Sequence, residues 1–305
     1  MLLNNNLTAT QIEPWFIPMD ILQVICTTFA VILALIFLFI IIFEKTCHTI
    51  PMLLVANSFL AEFVFGCAML FLAVFTLHND LKQIQFYDTW CLYQGCMSYM
   101  SVGLQNYSYL LHAIYRYIST VYPTRLYYQS FRFQMFLICS TWICGIIYPI
   151  PLILTNQIQY HVNDQTCQMP LIFSFITIFN VTYAYLLPMG SIILLYWKMV
   201  RYVHEISQRV LPVNTVLRAQ RDLKMIRRIV MLVSILVALG LPYTIFVFMS
   251  FFTTPPKYSF RIAFIFVDVS LASVMIVLFQ FTEPLKTSIM KMIRTRPIII
   301  VPAMT

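Results

Sequence analysis

Charge is scarce in this 305-residue chain: Asp, Glu, Lys and Arg make up 10% of it, hydrophobic residues 61%, and mean hydropathy is +0.83. Soluble domains carry about a quarter charged residues, so a soluble helical protein is excluded for want of polar surface. Soluble domains, low-complexity tracts and evident repeats are also missing, and the longest loop, Val203 to Arg218, is short and contains Pro212. No paired His, Cys or carboxylates stand at catalytic or metal-ligand spacing, and His112 is a lone core residue. Neither an enzyme nor a metal or cofactor site is expected. No basic patch interleaved with aromatics points to nucleic acid. Residues 1–20 lack the positive start and short apolar run of a cleaved leader, so the first span is expected to act as an uncleaved signal.

What the chain does have is apolar runs. A roughly 30 Å hydrocarbon core needs about 20 residues of helix to cross it. Runs of that order recur at Ile21 to Phe43, Met52 to Leu77, Cys91 to Val121, Phe133 to Leu154, Leu171 to Tyr202, Ile226 to Phe252 and Ile262 to Phe281. The expected fold is an all-α membrane protein with seven transmembrane helices. The third run holds Gln105, Asn106 and His112 and the fifth holds Asn180, which suits helices inside a bundle. Of the 19 basic residues, only Lys82, Lys257 and Arg261 fall on the side shared with the N-terminus. The positive-inside rule therefore predicts an extracellular N-terminus in a multi-pass membrane protein. Asn6, in Asn6-Leu7-Thr8, is a candidate glycosylation site on that side, whereas the patterns at Asn106 and Asn180 lie within spans.

Certain residues stand in a joint spacing. Cys91 opens the third run and Tyr115-Arg116-Tyr117 closes it, with Pro123 seven residues past the arginine. Trp142 stands in the fourth run, Pro188 and Tyr196 in the fifth, and Pro242 in the sixth. Across helices two to six this spacing resembles the rhodopsin-like G-protein-coupled receptors. The resemblance implies a receptor that binds an extracellular ligand and opens a cytosolic site for a heterotrimeric G protein by moving helix six. It pairs Cys91 with Cys167, a link worth about 4 kcal/mol on the loop-entropy argument. It assigns switch and coupling roles to Arg116, Tyr117, Pro123, Tyr196, Asp222 and Pro242, with Asp222 as the acid that locks Arg116. Apart from any family, Arg116 can also be a snorkelling arginine, and Pro188 and Pro242 simple kinks.

Glu62 is an acid in the middle of helix two, a costly placement that marks a functional site. The family keeps an aspartate there, which implies a sodium or proton-linked site. Here the side chain is longer, Ala34 replaces the expected asparagine and Gln105 replaces a small polar ligand, so a protonated, hydrogen-bonded Glu62 is an equal alternative. Other departures are Tyr115 for the acid before Arg116 and Gly240 for the sixth-helix tryptophan. The seventh-helix Asn-Pro-x-x-Tyr motif is not intact. Either Glu283-Pro284-Leu285-Lys286-Thr287 is its degenerate form, or Pro284 opens a short amphipathic cytosolic helix with Leu285, Ile289, Met292 and Ile293 on the membrane face. The second reading divides the chain into an extracellular segment 1–20, a seven-helix domain 21–283 and a cytosolic helix and tail 284–305.

Ser98 stands where amine receptors carry an aspartate, and Val277 or a neighbour where opsins carry the retinal lysine, which disfavours both ligand classes. The expected pocket walls are Ser98, Tyr99, Val102, Asn180, Tyr243 and Thr244, an apolar and aromatic lining for which a peptide is the expected ligand. A transporter or channel using Glu62, Gln105 and Asp268 is the competing reading, without the internal symmetry that transporters show.

Overall fold

The computed structural model describes residues 13–82, 90–172, 174–208, 230–231, 234–253, 256–281 and 286–287. Helix α1 spans Phe16–Phe43 and α2 Ile50–Lys82. Helix α3 spans Trp90–Val121, α4 Phe131–Ile147 and the short α5 Ile150–Leu154. Strands β1 (Gln159–His161) and β2 (Thr166–Gln168) follow. The fifth span is α6 (Phe175–Val181), a π turn at Thr182–Leu186 and α7 (Leu187–Gln208). The sixth is α8 (Ser234–Met249) and the seventh α9 (Ser259–Phe281). Among the described residues, five of the spans are long and apolar enough to cross a membrane. The third is long but more polar, and the described part of the sixth is shorter.

The first helix starts at Phe16 rather than at Ile21, so residues 16–20, set apart from the spans on sequence, are helical. Pro18 does not prevent this, because the first four N–H groups of a helix have no partner within it. Its buried stripe, Thr27, Ala30, Ala34, Phe37 and Ile41, keeps the three- and four-residue spacing of one helix face. Ile32, Ile36, Phe39, Ile42 and Phe43 lie exposed on the rest, so the helix is apolar all round. Phe37 stacks on Phe279 of α9 at 5.2 Å between ring centroids, binding the first span to the last.

The span predicted from Phe133 to Leu154 breaks between α4 and α5, where Pro149 cannot donate to the Gly145 carbonyl. Gly145 itself marks a close crossing: a Cβ there would lie 2.5 Å from Leu104 Cδ2 of α3. The β-hairpin is a correction to the all-helical expectation. It is antiparallel, pairing Gln159 with Gln168, Tyr160 with Cys167 and His161 with Thr166. Both Glu283 and Pro284 lie outside the described residues, as does almost all of the expected amphipathic helix; Lys286 and Thr287 are helical.

Candidate functional site

Helix α3 carries polar side chains on the face that points into the bundle, and four of them meet partners on other spans. Gln105 Nε2 donates to Glu62 Oε1 at 2.8 Å, and the Tyr109 hydroxyl donates to the same oxygen. Glu62 is fully buried, so these two donors replace water at one of its oxygens. On the next two residues, Asn106 Nδ2 donates to the Ala184 carbonyl at 2.7 Å and Tyr107 donates to the Tyr183 carbonyl at 3.1 Å. Pro188 explains the need. It has no N–H for the carbonyl four residues back, which is that of Ala184, and the chain there runs through the π turn. Two side chains of α3 thus supply donors to the irregular stretch of the fifth span.

The hairpin lies across the end of the bundle at which α1 begins. All of β2 is buried, the Met169 amide donates to the Tyr99 hydroxyl at 2.9 Å, and a Cβ at Gly95 would meet the Cys167 carbonyl oxygen at 2.9 Å. Cys167 is disulfide-bonded; the side chain of Cys91 lies outside those described. A buried clasp holds the hairpin down. Arg261 of α9 binds Asp80 of α2 with both terminal nitrogens, at 2.6 and 2.9 Å, and reaches Asp20 of α1 at 3.5 Å. Its backbone amide donates to Asp164 in the hairpin turn at 3.2 Å, and Gln165 donates to Asp80 at 2.8 Å. The guanidinium also sits 4.1 Å from the centre of the Phe16 ring. In the hairpin, burial lowers the His161 pKa against the opposing pull of the Gln168 carbonyl and Asp164. Burial raises that of Asp164, against the hydrogen bond from Arg261.

Beneath the hairpin, Ser98, Tyr99, Val102, Asn180 and Tyr243 line one cavity of about 40 Å³, which Gln168 of β2 closes above. Five of the six predicted wall residues are therefore neighbours there. Asn180 accepts a hydrogen bond from Tyr148, whose ring stacks on Tyr183 at 4.4 Å. The sixth, Thr244, lines a deeper and larger cavity of about 330 Å³, with Val102, Gln105, Asn106, Gly240 and Ser270 among its walls. A Cβ on Gly240 would meet nothing within 4 Å, so the position of the family's tryptophan borders open space. Asp268 is buried on α9 beside a void of about 10 Å³, apart from Glu62.

At the other end of α3, Tyr115 is buried against Leu54, Leu111 and Leu137. The residue that replaces the family's acid has thus become part of the α2–α3–α4 packing. The Arg116 guanidinium lies 5.8 Å from the Tyr115 ring, and the expected partner Asp222 lies outside the described residues. Tyr117 and Tyr196 pack with Met199, Val203 and Val230, joining the third, fifth and sixth spans. Pro123 is exposed in the turn after α3, followed by exposed Leu126, Tyr127 and Phe131. Pro242 lies within a continuous α8. Asn6 is outside the described residues. Among the described residues no group of three or more His, Cys, Asp or Glu is arranged to hold a metal ion.

Sequence reasoning missed the Arg261 clasp, although Asp20, Asp80 and Arg261 each stand at the same end of an apolar run with complementary charge. Compared with known proteins, the chain matches the family described as 7 transmembrane receptor (rhodopsin family) over residues 33–281. No curated protein matches it.

Proposed function

Because the chain belongs to the rhodopsin family of seven-transmembrane receptors, we propose that it is a G-protein-coupled receptor of the plasma membrane with an extracellular N-terminus. The observation that carries the reading is the course of α3. One unbroken helix runs from the walls of the large cavity, at Val102, Gln105 and Asn106, to Arg116 and Tyr117. A ligand in the cavity touches the helix whose far end packs on the fifth and sixth spans. Ligand-dependent repacking of those spans would open the crevice for a heterotrimeric G protein.

Within this reading Arg116 and Asp222 restrain the inactive state, Cys91 and Cys167 tie the hairpin to α3, Asn6 carries glycan and the segment after Pro284 lies along the inner membrane face. No charged side chain lines the large cavity among the described residues. A charged group would meet no partner there, which favours an uncharged ligand over the expected peptide unless only apolar side chains of that peptide enter. Recruitment of a G protein to the protein in cells, without added ligand and compared with Arg116→Glu, tests the reading. Recruitment lost in the variant supports it. Solute uptake or ionic current in the same membranes, with no recruitment, replaces it by the transporter or channel reading built on Glu62, Gln105 and Asp268.

A further inference from the structure

The larger cavity is walled on one side by Tyr185, Leu186, Met189, Gly190 and Ile193 of the fifth span and on another by Leu236, Val237, Gly240 and Leu241 of α8. Several of these residues also face outward. Leu186 is 63% exposed, Ile193 54%, Leu241 48% and Val237 47%. A residue that both lines a cavity and lies exposed on the flank of the bundle marks a mouth, and here the mouth opens between the fifth and sixth spans. Glycine occurs on both flanking helices, and a Cβ on Gly190 or Gly240 would meet nothing within 4 Å. In a membrane-spanning bundle the medium outside that mouth is hydrocarbon. The other way in is roofed: β2 is buried over the smaller cavity, Tyr99 holds Met169, and the Arg261 clasp pins the hairpin to α1, α2 and α9.

The lining states the ligand's chemistry. Thr244 donates its hydroxyl hydrogen to the Leu241 carbonyl at 2.9 Å and Ser270 to the Val267 carbonyl at 2.6 Å. One amide hydrogen of Asn106 is held by Ala184, and one of Gln105 by Glu62. Few donors remain, no charged group is available among the described residues, and the volume of about 330 Å³ lies near the lower end of small-molecule sites. That volume takes one acyl chain and excludes a two-chained phospholipid.

We infer that this cavity is a lipid-binding site, loaded from within the bilayer between the fifth and sixth spans by an uncharged single-chain lipid. The inference deepens the receptor reading by naming the ligand class and route. A chain passing the mouth lies against Gly240 and α8, the segment whose movement that reading invokes. Burial of its methylenes supplies the affinity, at about 0.8 kcal/mol each.

The test uses the whole protein in phosphatidylcholine nanodiscs, with a long-chain alcohol bearing a diazirine as the bilayer-dissolved probe and adducts mapped by mass spectrometry. Adducts are expected on Met189 and Leu236, to be lost on addition of excess unlabelled alcohol, while adducts on the outward-facing Phe39 and Phe43 of α1 persist. Gly240→Trp and Gly190→Trp, which fill the mouth from opposite sides, should each abolish the cavity adducts; the competition arm needs neither variant to fold. Cavity adducts absent while Phe39 and Phe43 are labelled, or insensitive to unlabelled alcohol, would overturn the site. Equal cavity labelling by a membrane-impermeant, water-soluble diazirine would overturn the route. G-protein recruitment in the same nanodiscs separates the two readings. Recruitment without cavity labelling sinks only the lipid site, and labelling without recruitment sinks only the receptor.

Discussion

Replacing Glu62 by leucine removes the acceptor that Gln105 and Tyr109 share, and leaves two buried donors facing hydrocarbon. An unsatisfied buried group costs about 1–3 kcal/mol. Glu62→Leu should therefore unfold well below the wild type in a detergent melt, while Glu62→Gln, which keeps an oxygen for both donors, should stay close to it. Equal losses in the two variants would mean that packing, not hydrogen bonding, sets the role of this site. His161 gives a second test, through pH. Its folded-state pKa lies below the ordinary 6.5, chiefly because it is buried, so its contribution to stability is present above 6.5 and lost as pH falls through the lowered value. Asp164 works the other way. Its raised pKa gives stability that is present below 3.8 and lost as pH rises through the folded value. Acidification from neutral pH should lower the protection of the amides of residues 159–168, measured against the intrinsic exchange rate at each pH, and His161→Gln should remove the part of that response that begins near 6.5. An unchanged profile in the variant would remove His161 from the account, and Asp164, whose raised pKa stabilises the fold as pH falls, could not replace it.

At the scale of the element, the fifth span shows how one missing N–H shapes a helix. Pro188 leaves the Ala184 carbonyl to Asn106, and the π turn lies just before it. Asn106→Leu should cost about 1–3 kcal/mol by stranding that carbonyl, seen as a lower melting temperature. Asn106→Asp should also be poor, because a carboxylate has no donor to offer. The spans themselves were legible in the sequence, because an apolar run of helical length admits few other structures at this composition. So, through the family resemblance, was the grouping of Ser98, Tyr99, Val102, Asn180 and Tyr243, which line one cavity. The hairpin was not. Its strands are three residues each, Gln159–His161 and Thr166–Gln168, too short for an alternating pattern, and both faces of β2 are buried under tertiary contacts that no local signal encodes. The clasp was hidden for a different reason. Asp80 and Arg261 are 181 residues apart, and each alone looks like a charge at the edge of a membrane.

At the scale of the whole molecule, the clasp closes one end of the bundle and the cluster around Tyr117 and Tyr196 gathers the other. Arg261 joins α1, α2, α9 and the hairpin, so its loss should be felt beyond its own contacts. Breaking a buried pair by removing one partner costs about 3–5 kcal/mol, because the remaining charge is stranded. Arg261→Ala strands Asp80 and Asp20 together and should destabilise more than Asp80→Ala, which leaves the cation its contact with Asp20. Thermal unfolding of both variants checks the order, and the reverse order would show that the aspartates are held by groups other than the guanidinium. In the proposed receptor, signalling turns on the far end. If Arg116 and Asp222 form the inner lock, an exposed pair of this kind is worth roughly 0.2–1 kcal/mol, so breaking it shifts the equilibrium only a few-fold. The most direct measurement is guanine-nucleotide exchange on a panel of purified Gα classes by the protein in nanodiscs. The account predicts faster exchange on at least one class, raised a few-fold by Asp222→Ala and abolished by Arg116→Glu. No acceleration on any class, by protein whose fold is shown by a cooperative melt, would contradict it.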